Sequence, residues 1–289
     1  MTRIPAPPAP FDRILVGWNE SASATAAASW AASRPGSAPI TLVGVLGGHE
    51  TGTDYLSARS PEAEARVRLM EAADELRRAH PEASISTQEL RGAVVDELLA
   101  LSTPRSLVVV GGTSATQKPS PFGWSVGSRL AAAHTPGAVA VVPADTTATP
   151  RRRLVVGYDG TTVSEHVLDV AIAEALSSQQ ELLVVHAWTE PPAWQDVYVP
   201  ELGLEDSLED VHQGVLDTAI RRAGLVTGLA AHGSLVVGTP ADALIDAART
   251  ASEVVVGNHS DHGARRFFLG SVSHAVIRAL VAPTLIVRS

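Results

Sequence analysis

The chain has 289 residues, 45% of them hydrophobic and 18% charged, with 22 basic against 31 acidic side chains, a formal net charge of −9 and no cysteine. The length suits two domains of ordinary size, and no apolar run approaches the ~20 residues of a membrane span. The acidic balance would repel a phosphate backbone, and the lack of cysteine removes disulfides, thiolate nucleophiles and cysteine-held metals. Neither nucleic acid nor a membrane is an expected partner, and a reducing, cytoplasmic setting is.

Residues 1–8 carry one arginine and then prolines where a secretion signal would be apolar, so this stretch is expected to be a flexible lead-in. Short β-branched runs near 13–18, 40–46, 84–90, 106–111 and 138–142 predict strands; segments of helical periodicity near 20–33, 61–80, 93–101 and 124–134 predict helices between them. Pro143–Pro150 breaks all periodicity and reads as an extended linker. Beyond it the order repeats, with strands near 153–158, 181–187, 229–237, 252–257 and 283–287 and helices near 161–176, 204–223, 240–249 and 271–281.

The repetition extends to the residues themselves. Ser106–Gly111 lies over Ser252–Gly257 at an offset of 146, which also sets Trp124-Ser125-Val126 on Gly270-Ser271-Val272 and Val139–Val142 on Leu285–Arg288 without a gap. Near the start of each half, Arg13–Asn19 matches Arg153–Asp159 at an offset of 140. The expected fold is therefore α/β: two tandem, doubly wound, five-stranded parallel-sheet domains of Rossmann-like type, over residues 1–145 and 151–289.

In such sheets ligands sit beyond the carboxyl ends of the strands where the strand order reverses. In the second half this directs attention to Gly157-Tyr158-Asp159-Gly160 after the first strand and Gly257 after the fourth. From Gly257 a loop runs to Gly270-Ser271-Val272, where a helix start offers amides, a hydroxyl and the positive end of a dipole, features suited to phosphate. With these residues placed, the half resembles a universal stress protein domain, whose ATP-binding members carry Gly-x2-Gly-x9-Gly-Ser/Thr after the fourth strand and an Asp after the first. Val184–Trp188 and Gly238–Leu244 add to the resemblance, which covers both halves.

The resemblance implies that Asp159 lies at the base and sugar, that Ala187 offers its backbone to adenine, and that Gly257, Ser260, Gly270, Ser271 and Val272 line ribose and phosphates. The implied ligand is ATP, with or without Mg, or another adenine nucleotide. Ser260 departs from the pattern by standing at the second glycine position, and His262, Arg265 and Arg266 occupy a loop that is usually small-residued. A β-carbon would crowd the ligand, whereas guanidinium groups pair well with phosphate. The first half departs further, with Asn19 for the acid, Ser114 for the second glycine and Trp124 for the third, and is expected to be an empty structural copy.

Other signals carry less. Gly123-Trp124-Ser125-Val126-Gly127 spells a nucleophile elbow, but prolines rather than a strand precede it, and Ser125 simply overlays Ser271. His259, Asp261 and His262 have metal-ligand chemistry but read as a solvated loop, and His186 as a packed strand histidine, so no metal is expected. No Gly-x-Gly-x-x-Gly follows either first strand and there is no P-loop, which disfavours dehydrogenases and P-loop ATPases.

No general base is identifiable, so slow ATP hydrolysis is the most enzymatic activity expected and no catalytic residue is assigned. The expected function is a stress-response sensor whose nucleotide occupancy in the second half is read by a regulatory protein partner. The alternative is an interaction scaffold with both pockets vestigial. The last strands, 138–142 and 284–287, are expected to meet as an intramolecular pseudo-dimer, since exposed strand edges need covering, and the sequence leaves open whether two chains then form a homodimer.

Overall fold

A computed structural model describes residues 8–36, 38–46, 61–112, 125–133, 136–145, 152–189, 204–258 and 269–288. The first half contains β1 (Arg13–Trp18), α1 (Ala22–Ala32), β2 (Ile40–Leu46), α2 (Pro61–Ala79), β3 (Ile85–Arg91), α3 (Val94–Leu101), β4 (Ser106–Gly112), α4 (Val126–Ala132) and β5 (Ala138–Pro143). The second contains β6 (Arg153–Gly157), α5 (Thr162–Ser177), β7 (Glu181–Trp188), α6 (Leu204–Gly224), β8 (Ala231–Val237), α7 (Pro240–Ala248), β9 (Glu253–Gly257), α8 (Ser271–Ala279) and β10 (Thr284–Val287). Each end lies within two residues of its sequence expectation.

The ten strands of the described residues form one sheet in the order β3-β2-β1-β4-β5-β10-β9-β6-β7-β8. Within each half neighbouring strands are parallel, and strand order reverses between the first and fourth strands, β1 and β4 or β6 and β9. The two five-stranded sheets join through the antiparallel pair β5·β10, in the register Thr284↔Val141, Leu285↔Ala140 and Ile286↔Val139. Because residues 139–142 recur as 285–288, this sets a strand against its own repeat about an approximate two-fold axis.

Alternation along the strands divides the core into two faces. Ile14 and Val16 point to one, with α1, α2, α5 and α6; Leu15 points to the other, with α3, α4, α7 and α8. The central strands β4 and β5 are buried on both sides and read as continuous Val/Ala runs, whereas the edge strands β3 and β8 alternate with polar residues and are half-exposed.

Just beyond the first strand of each half the backbone turns through the left-handed region, at Glu20 (φ 64°) and at Gly160 (φ 80°). Glu20 adopts it while its carboxylate pairs with Arg68 at 2.7 Å. Gly160 has no space for the same solution, since a β-carbon there would stand 3.0 Å from Val215 Cγ1. Gly160→Ala is expected to cost about 1–2 kcal/mol, measured by urea denaturation, because strain and crowding outweigh the lost chain entropy of glycine.

Candidate functional site

At the carboxyl edge of the second half, where β6 and β9 separate, lies a cavity of about 130 Å³. Gly157, Tyr158 and Asp159 line it from the end of β6, Val185 and Ala187 from β7, and Val256 and Gly257 from β9. Pro240 and Leu244 of α7, Val272 of α8 and Ser164 of α5 close it. The walls are mostly apolar with a few convergent polar groups, a composition that suits a flat heterocycle with polar edges.

Of the residues singled out in the sequence, Asp159, Ala187, Gly257 and Val272 border this cavity. Gly270 and Ser271 stand beside it, at the start of the helix that contributes Val272. Ser260 lies outside the described residues, as do His259, Asp261, His262, Arg265 and Arg266 in the same loop and Ser114 and Trp124 in the first half. Among the described residues no group of three or more His, Asp or Glu side chains is placed to hold a metal.

Asp159 has a local duty. Its Oδ1 accepts from the Thr161 N–H (3.0 Å) and hydroxyl (2.6 Å), while Thr161 caps α5 by accepting from the Ser164 N–H at 3.2 Å. In the first half Asn19 Oδ1 does the same for Ser21, accepting from its hydroxyl at 2.7 Å ahead of α1. One side-chain oxygen is all this turn requires, and an amide supplies it as well as a carboxylate. The negative charge of Asp159 is therefore not explained by the turn.

Gly257 also has a packing reason. A β-carbon there would meet Val167 Cγ2 at 3.0 Å and Val163 Cγ1 at 3.3 Å, both on α5, so the helix beneath the sheet crowds a side chain at this position whatever the cavity holds.

The two copies differ at the fourth helix of each half. In the first, Ser125 caps α4, its Oγ accepting from the Ser128 N–H at 3.1 Å, which gives this serine a helix-capping role rather than an elbow. In the second, α8 begins one repeat position earlier, on Gly270, which makes no side-chain cap, and Ser271 becomes the first helical residue. Amides of a helix's first turn have no partner within the helix. In α4 the residue before the helix claims one of them; in α8 it claims none.

A residue that sequence reasoning passed over holds this turn in place. Asn258 is 3% exposed; its Oδ1 accepts from the Gly270 N–H at 3.0 Å and its Nδ2 donates to the Ala131 carbonyl of α4 at 3.0 Å. Beneath it, the Ser273 hydroxyl donates to the Gly257 carbonyl at 2.7 Å. The only sequence signal for Asn258 was its place, directly after β9.

His186, read from sequence as a packed strand histidine, is buried with Nδ1 2.8 Å from the Tyr158 carbonyl and Nε2 2.9 Å from His212 Nδ1. A carbonyl only accepts, so His186 donates through Nδ1 and its Nε2 accepts from His212. His212 in turn stacks on Trp188, with ring centroids 4.6 Å apart. Burial, reinforced by neighbouring His186, pulls the His212 imidazole below its usual range and favours its neutral form. This cluster fixes the carbonyl of Tyr158, one residue from Asp159.

The universal stress protein family model matches residues 150–288. Along more of the chain, one universal stress protein of Mycobacterium tuberculosis is 31% identical over 212 residues, covering 71% of this chain and 66% of its own length. A second from the same organism is 29% identical over 294 residues, covering 95% and 96%. In fold, the chain is similar to the crystal structure of a universal stress protein from Archaeoglobus fulgidus, with 17% identity, a TM-score of 0.71, and coverage of 96% of this chain and 98% of that one.

Proposed function

We propose, from the premise that this chain belongs to the universal stress protein family, that its second half binds ATP or another adenine nucleotide and that occupancy regulates a partner protein in the cytoplasm. In this reading residues 1–145 and 151–289 are the two units and only the second holds ligand. The observation that carries it is the open, mostly apolar cavity beside the uncapped start of α8, set against a first-half counterpart whose helix is closed by Ser125.

The base would lie among Val185, Ala187 and Leu244, with Asp159 toward the sugar and the phosphates directed to the first turn of α8. Ser260, Gly270 and Ser271 complete the proposed set, and Mg would accompany the triphosphate through its own oxygens. Binding stabilises the occupied form by mass action, about 2.7 kcal/mol when ligand stands at a hundred times its dissociation constant. Among the described residues lining the cavity the one carboxylate, Asp159, is engaged by Thr161, and the proposal is a sensor rather than an efficient hydrolase.

Calorimetric titration of ATP into the full chain tests this. Gly270→Trp, which copies the first half at this position, is expected to weaken binding at least thirtyfold. A β-carbon at Gly270 meets nothing nearer than Asn258 Oδ1 at 3.8 Å, so Gly270→Ala serves as the folded control. Equal affinities for the original chain and Gly270→Trp would remove the site. No heat and no thermal shift with the original chain would favour the scaffold reading.

A further inference from the structure

On the opposite side of the joint between the halves, Arg34, just past α1, reaches two carboxylates of the second half: Glu174 of α5, and Glu253 at the start of β9, where Nη1 lies 3.1 Å from Oε2. The three side chains are 11%, 7% and 6% exposed, and Trp30 covers the guanidinium with its centroid 4.5 Å away. Arg34 and Glu174 are themselves repeat equivalents at the offset of 140, so the contact joins corresponding positions of the two halves.

One cation facing two anions in a buried site leaves an excess negative charge. The second oxygen of Glu253, Oε1, is buried without a hydrogen-bond partner. An ionised carboxylate oxygen in that position is costly, and a protonated carboxyl much less so. Beside the cluster lies a cavity of about 280 Å³, lined by Arg34, Glu174, Ser177 and Asp12 together with Phe11 and Ile14.

We propose that Arg34, Glu174 and Glu253 form a proton-operated latch between the halves. With one proton on the carboxylate pair the cluster is neutral and the joint is closed. Loss of that proton leaves a buried charge, which loosens the joint and admits water from the adjoining cavity.

Among the described residues, the neighbours of Glu253 come from four elements. Leu154 faces it from β6 and Pro283 precedes the adjacent β10, while Glu174 and Arg34 arrive from α5 and the end of α1. Asp12, across the cavity, is paired with Arg105 at 3.2 Å. Burial, only partly offset by Arg34 and reinforced by Glu174, pushes the Glu253 carboxyl up to about 7. A group whose folded value is raised contributes stability in full below its unfolded value, and that contribution fades as pH rises through the folded one. The latch therefore opens as pH rises through about 7, and the stability its proton supplies declines between pH ~4.5, the ordinary carboxyl value, and about 7.

The test uses the full-length chain with ¹³C-labelled glutamate carboxyls, Glu253 being assigned from its loss in Glu253→Gln. Its resonance is expected to titrate near neutrality; a midpoint in the ordinary carboxylate range overturns the proposal. In parallel, amide exchange at Val139, Ala140, Leu285 and Ile286, normalised to the intrinsic chemical rate, should quicken at least tenfold from pH 5.5 to 8.5. In Glu253→Gln, whose amide mimics the protonated carboxyl, it should stay slow throughout. Exchange that accelerates equally in both chains overturns the latch. Where that variant does not fold, the Glu253 carboxyl is assigned by through-bond correlation to its own backbone amide in the unaltered protein, and the titration alone then decides the matter.

Discussion

Gly111→Ala is expected to be among the most damaging single-methyl changes in this chain, costing about 3–5 kcal/mol and leaving little soluble protein. A β-carbon at Gly111 would fall 2.3 Å from the carbonyl carbon of Ser23, 2.4 Å from its oxygen and 2.7 Å from the Ala24 amide. All three are backbone atoms at the start of α1, so no rotamer change relieves the clash and the helix must lift from β4. The repeat supplies an internal control. At Gly257, 146 positions later, the nearest atoms are valine methyl groups of α5 at 3.0 and 3.3 Å, which shift at modest cost. Gly257→Ala should lose only about 1 kcal/mol. Chemical denaturation of the two variants side by side checks the order, and a Gly257→Ala chain less stable than Gly111→Ala would contradict it.

The second large effect is expected at Asn258. Replacing it with leucine removes the acceptor of the Gly270 N–H and a donor to the Ala131 carbonyl in one step, in a position 3% exposed. Arg288 Nη2 also donates to the Ala131 oxygen at 3.0 Å, so that carbonyl retains a partner while the Gly270 amide does not. The loss should be about 2–4 kcal/mol. Because the same amide orients the turn that opens α8, nucleotide affinity should fall at least tenfold as well. Asn258→Asp separates the two roles: it keeps an acceptor for Gly270 but gives up the donor to Ala131. It should therefore lose stability, and its added negative charge at the start of α8 should lower affinity by less than the loss of the acceptor in the leucine variant does. Thermal unfolding and ATP titration of both variants distinguish these outcomes, and a leucine variant that binds ATP normally would detach Asn258 from the site.

What the sequence revealed and what it withheld follow from the range of the interactions involved. The Val/Leu runs of β1, β4, β6 and β9 announce themselves within six residues, and the recurrence of SLVVVG as SEVVVG aligns the two halves. The meeting of Asp159 with Gly257 followed from the reversal of strand order, a rule of topology. Asn258 was invisible for the opposite reason: its partner Ala131 is 127 residues away, and an asparagine after a strand has no pattern to mark it. Arg34 and Glu253, 219 residues apart, each read as one more charged residue near a helix end or a strand start. The packing duty of Gly257 was likewise hidden, because the valines that require it lie on a helix the sequence places but does not aim.

The β5·β10 seam has a consequence for assembly. An unduplicated domain of this kind would end in a bare strand edge, able to pair with any copy of itself it met. Here that edge is spent within the chain, so the two halves are coupled one to one however dilute the protein becomes. Any contact between separate molecules must then be made elsewhere on the surface, and a signal exchanged between the two halves needs no second molecule at all.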